Sequence, residues 1–374
     1  MLVTNDFEPD QRVRKEARSL TEKGMHVSVI CLNRLAHYPI GHRRVDGVDV
    51  YSVAVGSFIA GKALSYLRAL MCFYKKAWRL AIATHTTRPI TVIHCHDFDT
   101  CLLGWALKHA CSVPMIYDIH DWYPSYFAAK SVRRFVTGIN TWFCRVSDAL
   151  ILVNEDFSKL PGVSRAKSAS VVMNTPNMSG HGICELRDIG LFYSGNLDAL
   201  RDMRYAIDVF RECGLPVELA GDGPLLQDYQ RVVKGSHISL PGRITPEEVT
   251  RRTQQCYAVL ALYDTSHINN RLATPNKVFE AMKYGKPSIV SAGTVMAEIV
   301  ETLNCGLAVE YGNPSALSDA IEKLKSPKTY QQYCENGHRA FLRSYNWQVM
   351  ESRLLTLYDQ LRPDSASTPS ATPP

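Results

Sequence analysis

"TPNKVFEAMKYGKPSIVS", residues 274–291, is one helix handing over to one short apolar strand. Thr274 suits an N-cap, Pro275 the first helical position, and Gly285 with Pro287 stops the helix near residue 284. "PSIVSAG" (287–293) then has the make-up of a buried strand. The same step recurs on both sides. Strands read at 189–195, 216–223, 236–242, 257–263 and 306–312 alternate with helices at 201–213, 224–234, 245–255, 295–303 and 314–325. An earlier series has strands at 2–4, 26–32, 48–55, 91–96, 114–120 and 149–154, with amphipathic stretches such as 12–23 and 64–84. Alternation of this kind predicts parallel sheets covered by helices on both faces.

Between the two series lies "MNTPNMSGHGICELRD" (173–188), rich in turn residues and without periodicity. A last helix reads from about 327 to 361, and "RPDSASTPSATPP" after it is disordered by composition. The expected organisation is residues 1–175, a linker at 176–188, residues 189–345, a helix at 346–361 packing back towards the first domain, and a tail at 362–374. The fold class is α/β, with two doubly wound parallel-sheet domains facing each other across a cleft. A length of 374 residues agrees, being too long for one ordinary core.

Composition narrows the function classes. Apolar content of 46% and charged content of 21% belong to a soluble globular protein. A net charge of +6 is no nucleic-acid signature at this length, but suits phosphorylated ligands or an anionic membrane surface. The 11 cysteines are scattered without any CxxC, which reads as reduced, mostly buried thiols in a cytoplasmic protein. No apolar run approaches 18 residues and no signal peptide is visible. The first strand would be only Leu2-Val3-Thr4, which suggests a start upstream of Met1.

Lys277 is the anomaly of the opening stretch. A helix N-terminus is positive and favours acidic side chains, yet a lysine sits there beside Asn276, with Glu280 one turn on. An anionic ligand resolves the conflict, because free N–H groups and a nearby cation together bind anions. Glu280 is spaced to accept two sugar hydroxyls. The plain alternative is a surface ion pair between Lys277 and Glu280, worth about 0.2–0.5 kcal/mol.

In open α/β sheets ligands bind beyond the carboxyl ends of strands, so other strand-end turns matter. In "SGNLDALRDM" the strand stops at Gly195, and Arg201 is placed to reach phosphates or simply to be solvated at a helix start. "AGDGP" holds Gly221, Asp222 and Gly223 in a tight turn but lacks a third dinucleotide glycine. In "HCHDFDT", His94 and His96 share a strand face while Cys95 points away, which disfavours a chelating cluster. Its Asp97 and Asp99 imitate an Asp-x-Asp metal motif. "YDIHDWYP" clusters His120, Asp121, Trp122 and Tyr123 at a strand end, as a sugar pocket or as a satisfied histidine with aromatic neighbours. The helix at 64–84, with Leu67, Leu70, Met71, Phe73 and Trp78 among Arg68, Lys75, Lys76 and Arg79, reads as core-facing or as lying on anionic lipid.

Taken in order, "DQRVRKEARSLTEKGMHVSVI", "VIHCHDFDTCLLG", "VPMIYDIHDWYP", "LFYSGNLDALRD", "LAGDGP", "TPNKVFEAMKYGKPSIVS" and "MAEIVETLNCGLAV" resemble a family 4 glycosyltransferase of the GT-B architecture, over about residues 1–345. The resemblance implies two Rossmann-like domains, the N-terminal one for the acceptor and the C-terminal one for a nucleotide-diphosphate sugar. It implies retention of configuration with no cofactor and no metal. Residue by residue, it puts His120 beside the transferred sugar, Arg201 and Lys277 on the diphosphate, and Glu280 on the ribose. Gly195, Asn196, Gly221, Asp222, Gly223, Arg243, Pro275 and Asn276 would complete the donor site, and Asp97, Asp99, Asp121 and Trp122 the acceptor site.

Three positions depart from the family pattern. Asn196 stands where an arginine is common, Leu272 where the earlier of two paired glutamates lies, and "EPDQRV" replaces a glycine-rich loop. The expected function is a retaining hexosyltransferase moving sugar from a UDP- or GDP-sugar to a glycan, lipid-linked glycan or other hydroxyl acceptor, in cell-surface polysaccharide or glycoconjugate synthesis. The expected place is the cytoplasm, with peripheral contact to the inner membrane face open. The competing reading is a catalytically silent nucleotide-sugar-binding subunit of a glycan-assembly complex. A sugar-nucleotide epimerase is the third.

Overall fold

The computed structural model describes residues 1–33, 38–55, 63–183 and 189–361. Residues 184–188 of the expected linker and the tail at 362–374 lie outside them. The chain forms two units, Met1–Val172 with the residues from Glu351 onward, and Met173–Met350.

In the first unit, eight strands form a sheet among the described residues: β1 Leu2–Val3, β2 Ser28–Leu32, β3 Gly41–Val45, β4 Val48–Val53, β5 Ile93–His96, β6 Met115–Ile119, β7 Ala149–Leu152 and β8 Ala169–Val171. Their order is β3-β4-β2-β1-β5-β6-β7-β8. The central strands β5, β6 and β7 are buried along their whole length, as apolar runs covered on two faces must be. Helices α1 Gln11–Glu22, α2 Ala63–Thr87, α3 Phe98–Cys111 and α4 Lys130–Val146 make the crossovers. Two strands escaped the sequence reading. β8 is a three-residue edge strand, and β3, "GHRRV", is polar and mostly exposed. β3 runs antiparallel to β4 through a two-residue Asp46-Gly47 turn, both at positive φ (51° and 82°). That dipeptide was the available signal for a hairpin.

The second unit carries β9 Ile189–Ser194, β10 Val217–Ala220, β11 Ile238–Gly242, β12 Cys256–Ala261, β13 Ser288–Ser291 and β14 Gly306–Val309, all parallel, in the order β11-β10-β9-β12-β13-β14. Between and after them lie α5 Ile207–Glu212, α6 Leu226–Val232, α7 Pro246–Gln255, α8 Ile268–Leu272, α9 Asn276–Lys283, α10 Val295–Thr302, α11 Pro314–Leu324, α12 Pro327–Arg343 and α13 Trp347–Leu361, the last divided between the units. Leu191, Tyr193, Phe210, Leu219, Leu260 and Leu317 belong to one buried core under this sheet.

Three helix readings change. The stretch 327–361 is two helices, because the Asn346 amide takes the carbonyls of Phe341 (2.8 Å) and Leu342 (3.0 Å) while its oxygen receives the Val349 N–H. The helix placed at 201–213 is α only from Ile207. Before it run two 3₁₀ turns, Ala199–Arg201 and Arg204–Ala206, held by Asp198 and Asp202 side chains that accept the N–H groups of Leu200 and Arg204. Finally, Pro275, not Thr274, is the N-cap of α9, and its side chain makes no cap hydrogen bond.

Candidate functional site

In the second unit the strand order reverses between β9 and β12, and turns beyond such a reversal leave a crevice. The turn after β9 and the turn after β10 pack backbone against backbone. A Cβ on Gly221 would fall 1.8 Å from the Gly195 carbonyl oxygen, and one on Gly223, at φ 150°, 2.4 Å from that of Leu197. Only glycine fits there, and the result is a recess of about 510 Å³ lined by Gly195, Asn196, Asp198, Asp222 and Arg243 among others.

Two cations converge beside it. Arg201 is oriented by Asp198 (2.8 Å) and lies over the Tyr263 ring at 5.3 Å. The Lys277 ammonium sits 3.9 Å above the centroid of Tyr193 and 5.5 Å from that of Tyr263. The same ammonium would be 3.2 Å from a Cβ on Gly195. Buried Asn270 braces the loop, donating to the carbonyls of Leu200 (3.2 Å) and Asp264 (2.8 Å). Burial, then repulsion from Arg201, pulls Lys277 down from 10.5 to about 7 against the pull of Glu280. Asn276 is exposed at the N-terminus of α9, whose first turn holds no acid. Glu280 follows one turn later, half-buried.

In the first unit His120 follows β6. Its Nε2 lies 2.9 Å from Asp118 Oδ2 and 3.4 Å from His96 Nδ1, and its Nδ1 lies 3.3 Å from Asp97 Oδ2. Burial opposes its charge, but Asp118 and Asp97 outweigh that and raise it to about 10. Asp118 is buried and held by the Arg12 fork, Nη2 to Oδ1 at 2.6 Å and Nε to Oδ2 at 3.3 Å. Asp118 stays well below the usual carboxylate range, since Arg12 and His120 overcome its burial. Glu16, also buried, is raised to about 8 by burial and by Asp118, although Arg12 Nε is 3.1 Å away. His94 and His96 are held neutral chiefly by burial.

The tertiary fold therefore assembles what the strand reading of "HCHDFDT" disfavoured. Glu16, His94, His96 and Asp118 bring ligand atoms within 4.8 Å of one another, a spacing a metal ion could use. Arg12 stands on both carboxylates and supplies the positive charge this cluster needs.

The other expected residues are dispersed. Asp97 touches His120 and has φ 65° and ψ 167°, a backbone region nearly confined to glycine and costing about 1–3 kcal/mol elsewhere. Asp99 is buried, and its carboxylate accepts the hydroxyls of Thr4 (2.6 Å) and Tyr66. Asp121 is exposed and accepts from Tyr126 at 2.6 Å. Trp122 is buried. The sequence reading passed over Tyr193, Asp198 and Tyr263, and also Arg12, Glu16 and Asp118. Arg12 and Glu16 did leave a trace, for they share the stripe of Val13, Ala17 and Leu20 that faces the core.

Comparison with known proteins decides what kind of molecule this is. Residues 9–161 match the model of the glycosyl transferase 4-like domain, and residues 189–326 that of glycosyl transferases group 1. The chain belongs to the family 4 glycosyltransferases. It is 21% identical to an uncharacterised glycosyltransferase of Methanocaldococcus jannaschii over 91% of both chains. Among solved structures it resembles sucrose-phosphate synthase from Thermosynechococcus elongatus, with a TM-score of 0.78, 16% identity and coverage of 96% of this chain and 98% of that one. It also resembles Anabaena HepE in complex with UDP-glucose, with a TM-score of 0.70, 12% identity and coverage of 96% and 99%. At such identities the likeness carries the fold, which is GT-B.

For the transferase, the two clusters differ in kind. Around His120 the charges are matched, so an imidazolium is held between Asp118 and Asp97, with Arg12 behind Asp118. Around Lys277 the matching is partial: Asp198 holds Arg201, while the ammonium rests on aromatic rings beside that guanidinium and the N-terminus of α9. A site with surplus positive potential is arranged to receive negative charge.

Proposed function

We propose that the transferase takes a nucleotide-diphosphate sugar on its second unit and moves the sugar, with retention and without a metal ion, to a hydroxyl of a glycan or lipid-linked acceptor. The observation that carries this reading is Lys277, an ammonium drawn down to about 7 beside Arg201 at the start of α9. A diphosphate there would restore its charge. Arg201, Lys277 and the α9 amides near Asn276 would then hold the charge gathering on the leaving diphosphate without reorganising. Glu280 is assigned to the ribose hydroxyls, and the imidazolium of His120 to the transferred sugar. The UDP carried by similar folds favours a uridine donor over a guanosine one. Synthesis of surface polysaccharide or glycoconjugate, by a cytoplasmic protein in peripheral contact with the membrane, is the setting this chemistry fits.

A thermal-shift series with UDP, GDP, ADP, CMP and dTDP, with and without magnesium, tests the donor site. One diphosphate standing out, unchanged by magnesium, supports it; a ligand at a hundred times its Kd stabilises by about 2.7 kcal/mol. No shift with any of them refutes it. Glu280→Ala should weaken the binding of that diphosphate while leaving the unliganded midpoint in place, and unchanged affinity would remove the ribose assignment. The silent-subunit reading keeps its motive in Leu272, which ends α8 where a paired glutamate is usual. Slow donor hydrolysis that His120→Ala abolishes would exclude it.

A further inference from the structure

Helix α4 has two apolar stripes where one would suffice. Val136, Asn140, Phe143 and Cys144 are buried and seat the helix on the first unit. A second stripe, Phe135, Ile139 and Trp142 beside Gly138, runs along an adjoining side of the helix, and Phe135 is 69% exposed and Trp142 39%. The stripe continues onto α3, where Trp105 meets the Trp142 ring edge-on at 5.2 Å and Leu102 is 47% exposed. Next to α3, helix α2 packs by the hydroxyls of Tyr66 and Tyr74 on Asp99 and presents Leu67, Met71 and Trp78 to solvent.

Charge on α4 and α2 has one sign. Lys130, Arg133, Arg134 and Arg145 on α4 and Arg68, Lys75, Lys76 and Arg79 on α2 are all exposed, and neither helix contains an acidic residue. With 36 acids in 374 residues, helices of 25 and 17 residues would hold about four at the chain's own rate. Protein interfaces enrich aromatic residues, methionine and arginine but are depleted in lysine, and three of these exposed cations, Lys75, Lys76 and Lys130, are lysines. Exposed tryptophan, phenylalanine and leucine ringed by Lys and Arg alone match the boundary of an anionic bilayer, where the rings enter the headgroup layer and the cations meet phosphate.

We infer that the outward face of α4, continued over α3 and α2, seats the transferase on a membrane rich in anionic lipid. This gives the membrane contact proposed above a definite surface, and its test contains no nucleotide, so it stands or falls apart from the donor site. Geometry alone requires about half of α4 to be solvent-facing, but not that this half be apolar and cationic together.

The full chain is sedimented with vesicles of phosphatidylcholine alone and with vesicles that also contain phosphatidylglycerol. Binding is expected only to the second, with a blue shift in tryptophan emission and release by salt. Phe135→Ser combined with Arg134→Glu should lower partitioning by about tenfold or more, since each cation near the surface and each buried apolar group contributes of the order of a kcal/mol. Lys234→Glu, on the second unit, should leave it unchanged. An unaltered thermal midpoint certifies that the variants are folded. Absence of binding to anionic vesicles, or equal binding by the Phe135/Arg134 variant, overturns the inference. A concentration-dependent dimer that Phe135→Ser dissolves also overturns it, because a second copy would then cover this face.

Discussion

Replacing Lys277 by methionine should make the unliganded transferase more stable and a poorer nucleotide binder. Methionine has nearly the length of the lysine stem, so packing over Tyr193 and Tyr263 survives while the ammonium goes. The folded protein holds Lys277 at about 7, against 10.5 when unfolded. The unfolded chain therefore binds more protons between these values, and the charged form is a burden to folding at neutral pH. Worked through linkage, the burden at pH 7 is about 4 kcal/mol as an upper bound, and about 2 kcal/mol after allowing for the solvent that still reaches this half-buried side chain. For a unit of this size that is a rise of roughly 4–8 °C in midpoint. The sign has a pH signature: the gain should be full below pH 7 and shrink towards zero as pH rises to 10.5, where lysine is neutral in both states. Loss of one charge-assisted contact to phosphate should weaken diphosphate binding by about 1.5–3 kcal/mol, roughly tenfold to a hundredfold. Differential scanning fluorimetry across pH, with titration calorimetry for the diphosphate, reads both. A variant that is less stable than wild type at pH 7, or that binds diphosphate equally well, would refute the reasoning.

Three further outcomes are expected. Gly221→Ala forces a Cβ to within 1.8 Å of the Gly195 carbonyl, which is backbone and cannot rotate aside, so diphosphate binding should vanish and the midpoint of the second unit should fall; binding kept at wild-type strength would show that the two turns do not form the recess. Asp118→Asn takes from buried Arg12 the nearer of its two carboxylates and from His120 its anion, and should destabilise by about 3–5 kcal/mol, read by urea unfolding. Because His120 is raised from 6.5 to about 10, its charge stabilises fully below pH 6.5 and is lost as pH climbs through 10; the deficit of His120→Gln in thermal midpoint should close over that range.

Much of the fold was legible because it rests on local regularities. Short apolar runs spaced by helix-length segments can hardly be anything but parallel strands, and both sheets follow from them. What failed were features with weak local signals or with local competition. The polar edge strand β3 is made by backbone pairing to β4, not by apolar alternation. The chain around Arg201 prefers aspartate-bonded 3₁₀ turns to the helix its periodicity suggested.

The candidate donor site was half legible for a related reason. Lys277, Glu280 and the glycines stand on single turns, so spacing along the chain already exposes their oddity. The rings that carry the cations, Tyr193 on β9 and Tyr263 just past the end of β12, are separated by the whole crossover between those strands, and no local pattern marks either for this use. The His120 frame went further out of reach, because Arg12, His96 and Asp118 come from α1, β5 and β6 and acquire meaning only when the sheet closes. What the sequence by itself determined is periodicity, caps and a misplaced charge, all set by neighbours a turn away. Only the tertiary structure decided which charges are buried together, because electrostatic energy depends on distance and solvent exclusion, and neither is written in the order of the residues.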